Sequence, residues 1–361
     1  MKVRALASTM GVGVAAALML TAVAVPASAD PVPATDYRQL AGVGSDTTQD
    51  VLNHLGKVVG GGSTIASWDA RPPAGATTTI KTKASGPNGD CTQTRPNGSG
   101  AGRTALRNAQ SSTNATYDCV DFARSSSYPN AVPQTTGLYT YIPFGVDAVT
   151  VAVNENSFLP SNITSIQAQR IYQCFDDDIA GEPVVPLLIQ SGSGTRQFWL
   201  QKMGVAEQDI AAGFYPCLQD LGNTVQEHDG NVLAGHEEYL LPFSVGQWIA
   251  QGNTGQVVGG HAIDIANRRG PSKLLSMDAV APRNVDGSLN INFPIRRDVY
   301  NVVPTADLVT GSLLSNTFAG PTSSVCNEDD VIKAYGFGFR TGSSSNLLEL
   351  PCGSTLLKAD S

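Results

Sequence analysis

Only four histidines, His54, His228, His236 and His261, occur in 361 residues, and there is no Cys-x-x-Cys pair. Zinc-ligand spacing is therefore absent from the sequence, which predicts no metal site, and the histidines read as structural or surface residues. Basic side chains are also scarce. Lys and Arg number 23 against 31 Asp and Glu, a net charge of −8; a phosphate-backbone binder normally carries a basic stripe, so nucleic acid is not an expected partner. No apolar run after the first 29 residues is long enough to span a bilayer, and no fixed-period repeat indicates a solenoid. With 37 Gly and 21 Pro, long helical bundles and coiled coils are disfavoured, while 41% hydrophobic content still suffices for a real core.

The amino terminus does have an apolar run. Lys2 and Arg4 precede Gly11 to Val25, and Ala27-Ser28-Ala29 is a small-residue cleavage site before Asp30. This pattern predicts a cleaved secretory signal over 1–29. Its removal takes two basic residues and leaves a mature chain at −10. No cysteine stands near the cleavage site to take a lipid, so the product is expected to be released without an anchor. All six cysteines lie beyond it, and an even number in an exported chain reads as disulfides. Loop closure makes sequence neighbours the simplest pairing: Cys91 with Cys119, Cys174 with Cys217, and Cys326 with Cys352.

Strand and helix patterns alternate along the mature chain. Strands are predicted at Tyr37 to Gly44, Thr77 to Thr82, Cys119 to Ala123, Tyr139 to Asn154, Val184 to Ile189, Leu240 to Trp248 and Phe293 to Val303. Helical spacing follows Thr48, begins again near Gly102, and recurs over Ile163 to Cys174, Phe198 to Met203 and Asp329 to Tyr335. The alternation predicts an α/β fold.

Three strand-to-helix turns share one design, a cluster of Gly and small hydroxyl residues. They are Gly42-Val43-Gly44-Ser45-Asp46-Thr47, Gly98-Ser99-Gly100-Ala101-Gly102 and Ser191-Gly192-Ser193-Gly194-Thr195. Free N–H groups and partial positive charge at a helix start suit an oxyanion, and Gly lets the backbone approach it closely. Arg103, Arg124 or Arg196 could add a guanidinium fork, and Arg124-Ser125-Ser126-Ser127 adds further hydroxyls. The second turn lacks a P-loop lysine, and neither Ser99 nor Ser193 sits in a Gly-x-Ser-x-Gly elbow.

Read in order, these turns together with Val120-Asp121-Phe122-Ala123, Ile142-Pro143-Phe144 to Val153-Asn154, Ile171-Tyr172 and Phe293-Pro294-Ile295-Arg296-Arg297 resemble the phosphate-binding proteins of ABC transporters. The resemblance implies a two-lobed fold of the type II periplasmic-binding-protein kind with crossover hinge strands. Lobe 1 would hold 30–146 and 300–361, and lobe 2 147–299. It also implies a small phosphate-like oxyanion between the lobes, no cofactor, no catalytic residue, a monomer, and an ABC transporter permease as partner. Ser99 matches a family hydroxyl donor, Ser193, Gly194 and Thr195 match the gripping segment, and Ser45, Asp46 and Thr47 cover the first-lobe donor. Gly100, Arg103, Arg124, Ser125, Ser126 and Arg196 complete the expected ligand set. Two positions depart from the family: Ser126 replaces an aspartate that accepts the anion's hydrogen, and Ile189 replaces an arginine. Loss of the aspartate predicts relaxed selectivity toward sulfate-like anions. Two other classes compete with this reading. A secreted phosphatase-like hydrolase would need an activated nucleophile or metal that the sequence does not display, and an extracellular interaction protein would have lost anion binding.

Overall fold

Fully buried strands organise the molecule, and the longest of them runs through both of its principal cores. The computed structural model describes residues 30–31, 36–72 and 76–361; the predicted signal over 1–29 lies outside them. Nine strands form the main sheet: β1 (Leu40–Gly44), β2 (Ile65–Ser67), β3 (Phe122–Ser125), β4 (Tyr139–Asn154), β5 (Val185–Pro186), β6 (Tyr239–Ser244), β7 (Ser272–Leu274), β8 (Arg296–Pro304) and β9 (Lys358–Ala359). The order is β5-β6-β4-β8-β3-β1-β2, with β7 and β9 also paired to β4. β1 lies parallel to both β2 and β3. Such strands are covered on both faces, which is why β1 reads Leu-Ala-Gly-Val-Gly with no polar residue.

All 16 residues of β4 are buried. It pairs antiparallel with β8 from Arg296↔Ala148 to Pro304↔Tyr139, with a register shift between Val299 and Tyr300. Ile142 and Phe144 on β4, and Val299 and Val303 on β8, pack with Leu52, Leu55, Ile332 and Phe337. Beyond Val146, β4 joins a second core with Ile171, Tyr172, Trp199, Met203 and Phe293. The longest strand therefore passes from one core to the other, and β8, which Ile295 of the second core leads into, pairs along it, giving the two-lobed α/β architecture. One segment bridges them: Val245 and Ile249 belong to the second core, whereas Ala250, Ile263 and Ile265 pack into the first.

The helices that matter for the site are α1 (Gln49–Val58), α2 (Ser99–Ala109), α3 (Ser165–Tyr172), α4 (Gly194–Met203), α5 (Glu207–Ala211) and α6 (Val245–Gly252). Trp199 of α4 meets Tyr172 of α3 edge-on at 5.3 Å between ring centroids. This aromatic contact seats α4, and hence its amino terminus. The three disulfides are those expected, with Cα separations of 5.3 Å (Cys91–Cys119), 5.7 Å (Cys174–Cys217) and 5.8 Å (Cys326–Cys352).

Three expected strands are corrected. Leu240 to Trp248 is extended only to Ser244, whose hydroxyl accepts from Gln247 N at 3.2 Å and caps α6, so Trp248 is helical. Val184 to Ile189 contracts to the two residues of β5. The strand over Cys119 to Ala123 moves to Phe122–Ser125, which places Arg124 and Ser125 within it rather than beyond its end. Among the described residues no helix is long and apolar enough to cross a membrane.

Candidate functional site

The predicted turns deliver their hydroxyls to one buried point. β1 ends at Gly44, whose φ of +124° and approach to the Arg124 carbonyl (2.6 Å from an added Cβ) leave room for glycine alone. Ser45, Asp46 and Thr47 follow and lead into α1, all of them buried. The end of β3 supplies Ser126, whose N–H donates to Ser99 Oγ at the start of α2 (3.0 Å). Ser193 caps α4, accepting from Thr195 N at 3.0 Å and Arg196 N at 3.3 Å. The loop after α5 brings in Glu227.

One hydrogen-bond net joins these groups. Thr47 Oγ1 donates to Glu227 Oε1 at 2.7 Å and lies 3.2 Å from Thr195 Oγ1 and 3.3 Å from Ser126 Oγ. Ser126 Oγ is in turn 3.3 Å from Ser99 Oγ. Thr195 donates to Glu227 Oε1 (3.0 Å) and Ser193 to its Oε2 (3.3 Å). Arg297 Nη2 on β8 reaches Thr195 Oγ1 at 2.7 Å and Asp147 Oδ2 on β4 at 2.8 Å. The chain is closed over this net. Asn97 and Gln190 exchange side-chain amide hydrogen bonds (3.0 and 2.8 Å), Gly100 N donates to Gly192 O (3.2 Å), and Gln247 Nε2 donates to Thr47 O (2.7 Å). A Cβ on Gly194 would stand 2.3 Å from Ser99 Oγ and 2.5 Å from Ser126 Oγ, so α4 docks there only with glycine.

Burial sets the charge states. Desolvation, with the neighbouring Glu227 charge adding to it, raises Asp46 well above the ordinary carboxylate range. Burial alone would raise Glu227 too, but the positive charge that His228 carries when protonated and the hydrogen bond donated by Thr47 outweigh it and hold Glu227 below its usual value. His228 is pushed down to about 3, first by burial and then by the charge of Arg268, and is neutral at pH 7.

Residues 32–258, well over half the chain, match the model of a PBP superfamily domain. The chain belongs to the PBP superfamily. Two solved structures similar to this superfamily member are an ABC-type phosphate transport receptor from Vibrio cholerae and a substrate-binding protein ascribed to phosphate ABC transport, with bound phosphate, from Clostridium perfringens. The first is 13% identical, covers 83% of this chain and 100% of its own, and superposes with a TM-score of 0.51. The second is 13% identical, with 84% and 99% coverage and a TM-score of 0.49. No curated protein sequence gives a significant match. Likeness at this identity bears on the shared fold.

Within this PBP superfamily chain the expected ligand residues divide into two groups. Ser99, Ser126, Ser193, Gly194, Thr195 and Thr47 meet in the net, and Ser45 and Asp46 are buried next to Thr47 in the chain. The arginines do not enter it. Arg124 donates to the Ser45 carbonyl (3.0 Å) and Ser67 Oγ (2.8 Å); Arg196 pairs with Glu207 and donates to Ile189 O (2.8 Å); Arg103 donates to Ser125 Oγ (3.1 Å). Backbone carbonyls, serine hydroxyls and a helix-borne carboxylate satisfy these guanidiniums. Gly100 and Ser125 are likewise turned to Gly192 O and Ser127 O.

Sequence reasoning missed Glu227, His228, Asp147 and Arg297. Asp147 did carry a signal, since a lone carboxylate within an apolar 16-residue strand needs a buried cation. Glu227 and His228 lie outside any periodic element and carried none.

Behind Arg124, Asp69 yields a pH prediction. Burial, then the charge of Asp50, pushes its carboxyl up to about 7, while Asn53 donates to it at 2.8 Å. The folded state thus binds the proton more tightly than the unfolded chain. Stability from this group is full below about pH 4, falls as pH rises toward 7 and is level above, by roughly 4 kcal/mol at most. Urea melts of Asp69→Asn across pH 4–8 should lose this decline; an unchanged slope would refute the assignment.

Proposed function

We propose that the chain is a secreted, non-enzymatic solute-binding protein that closes its two lobes, 30–146 with 300–361 and 147–299, on a hydrogen-bearing oxyanion of the phosphate class for an ABC transporter. The observation that carries this reading is the convergence of five hydroxyls, Thr47, Ser99, Ser126, Ser193 and Thr195, from four separate segments on one buried point beside Arg297 and Glu227. Hydroxyl donors and a guanidinium suit a small anion in a site from which water is excluded. Membership of the PBP superfamily and the fold shared with a phosphate transport receptor are consistent with it.

Glu227 changes the expected selectivity. The Ser126 hydroxyl can donate as well as accept and so reads a hydrogen on the anion poorly, but a buried glutamate carboxylate beside the same hydroxyls offers a dedicated acceptor. Monohydrogen phosphate can donate its O–H to Glu227, whereas fully ionised sulfate would set a second negative oxygen against that carboxylate with no hydrogen between them in a desolvated site. Arg297 takes the place of the arginine missing at Ile189. Its Nη1 is buried without a partner and is available to an anion oxygen.

Competition calorimetry in EDTA-containing buffer tests the reading. Phosphate should bind with a preference over sulfate on the order of a hundredfold or more, and Glu227→Gln should narrow that preference to about tenfold or less. Equal affinities in the unmodified chain, or no anion binding at all, would overturn it.

A further inference from the structure

Asp46, Glu227 and His228 each offer one ligand atom, and the three atoms lie within 4.8 Å of one another in fully buried surroundings. His228 Nδ1 is 3.6 Å from Asp46 Oδ2, too long for a hydrogen bond. It is close to the ~3.4 Å that separates two ligands bound to one tetrahedral ion at the usual zinc–oxygen and zinc–nitrogen distances.

Three further observations point to a guest. Both ring nitrogens of His228 and Asp46 Oδ2 are buried with no hydrogen-bond partner, three orphaned atoms at one point. Among the described residues, neither Asp46 nor Glu227 forms an ion pair with Lys or Arg, so two adjacent carboxyl groups sit out of water with no cationic side chain between them. The three ligands also come from opposite sides of the closed interface, Asp46 from the turn before α1 and Glu227 with His228 from the loop after α5. A cation held by them would fasten the closed form.

We propose that Asp46, Glu227 and His228 form a binding site for a divalent transition cation of the zinc type. One imidazole and two carboxylates suit zinc, manganese or cobalt(II), and their two negative charges balance the ion. Three protein ligands leave at least one coordination position for a further oxygen. The site goes beyond the oxyanion reading and does not depend on it.

The test uses the full chain, stripped with EDTA, in phosphate-free and sulfate-free buffer. Equilibrium dialysis against Zn2+ should retain one equivalent, and Co2+ should give visible absorption bands of a four- or five-coordinate ion. Both ions should raise the melting temperature. His228→Gln and Asp46→Asn should each weaken Zn2+ binding by about a hundredfold and remove the cobalt bands, with circular dichroism reporting whether each variant folds. His236→Ala, at the exposed His236–Glu238 pair, should change nothing. No retained metal, an unchanged affinity in folded His228→Gln, or loss of binding in His236→Ala would overturn the proposal; for a variant that fails to fold, the cobalt spectrum of the unmodified chain decides. Because no oxyanion is present, failure here is separate from failure of the phosphate calorimetry run in EDTA.

Discussion

Replacement of Arg297 by methionine should destabilise the protein by about 3–5 kcal/mol. Asp147 is fully buried, and Arg297 is its cationic partner, with Nη2 at 2.8 Å and Nε at 3.3 Å from Oδ2. Ser244 Oγ and Gly246 N also donate to this carboxylate at 3.0 Å, but they are neutral and cannot balance its charge. Removing one ion strands the other in a medium that solvates it poorly. Removing both need not, so Asp147→Leu combined with Arg297→Met should recover most of the loss. Chemical denaturation with the disulfides intact measures both variants. A loss below about 1 kcal/mol in Arg297→Met would show that the pair is not desolvated as described. Arg297 also holds Thr195 Oγ1, so the single variant should weaken anion binding even at temperatures where it remains folded.

Gly194→Ala should reduce phosphate affinity by about a hundredfold or more, because a lobe that cannot seat leaves the cage open to water. The added methyl would lie 2.3 Å from Ser99 Oγ and 2.5 Å from Ser126 Oγ, distances that real Cβ atoms essentially never adopt. Relief requires the start of α4 to withdraw from Ser99 and Ser126, which separates the donors that the anion needs together. Gly100→Ala is the matched control. Its Cβ would make ordinary contact with Gly192 O at 3.5 Å, and it shares the helix-start setting without the clash. Calorimetry on both variants separates close approach from helix propensity; equal losses would dismiss the steric account.

The hydroxyl part of the site was legible because it depends on local rules. Ser45 to Thr47, Ser99 and Ser193 to Thr195 each stand where a strand gives way to a helix, and such turns leave N–H groups and side chains pointing outward from the strand ends. The arginines were read less well. Arg103, Arg124 and Arg196 are long, and several carbonyls and carboxylates compete for each; spacing in sequence does not say which acceptor wins. Trp248 and the strand edges at Phe122 and Val185 shifted for a related reason, since short apolar runs fit strand and buried helix alike until a cap such as Ser244 decides.

By itself the sequence determined the α/β class, the long strands and the turns that present hydroxyls, all of which follow from composition and periodicity; the disulfide pairing, for which neighbours in sequence were the simplest choice, was decided by the fold. Tertiary structure alone decided that Glu227 and His228 would stand beside Asp46, 181 and 182 positions away along the chain, and that Arg297 would lie between Asp147 and Thr195. Packing sets those meetings. A buried charge is placed by whatever elements close around it, and its partners carry no mark in the order of the residues.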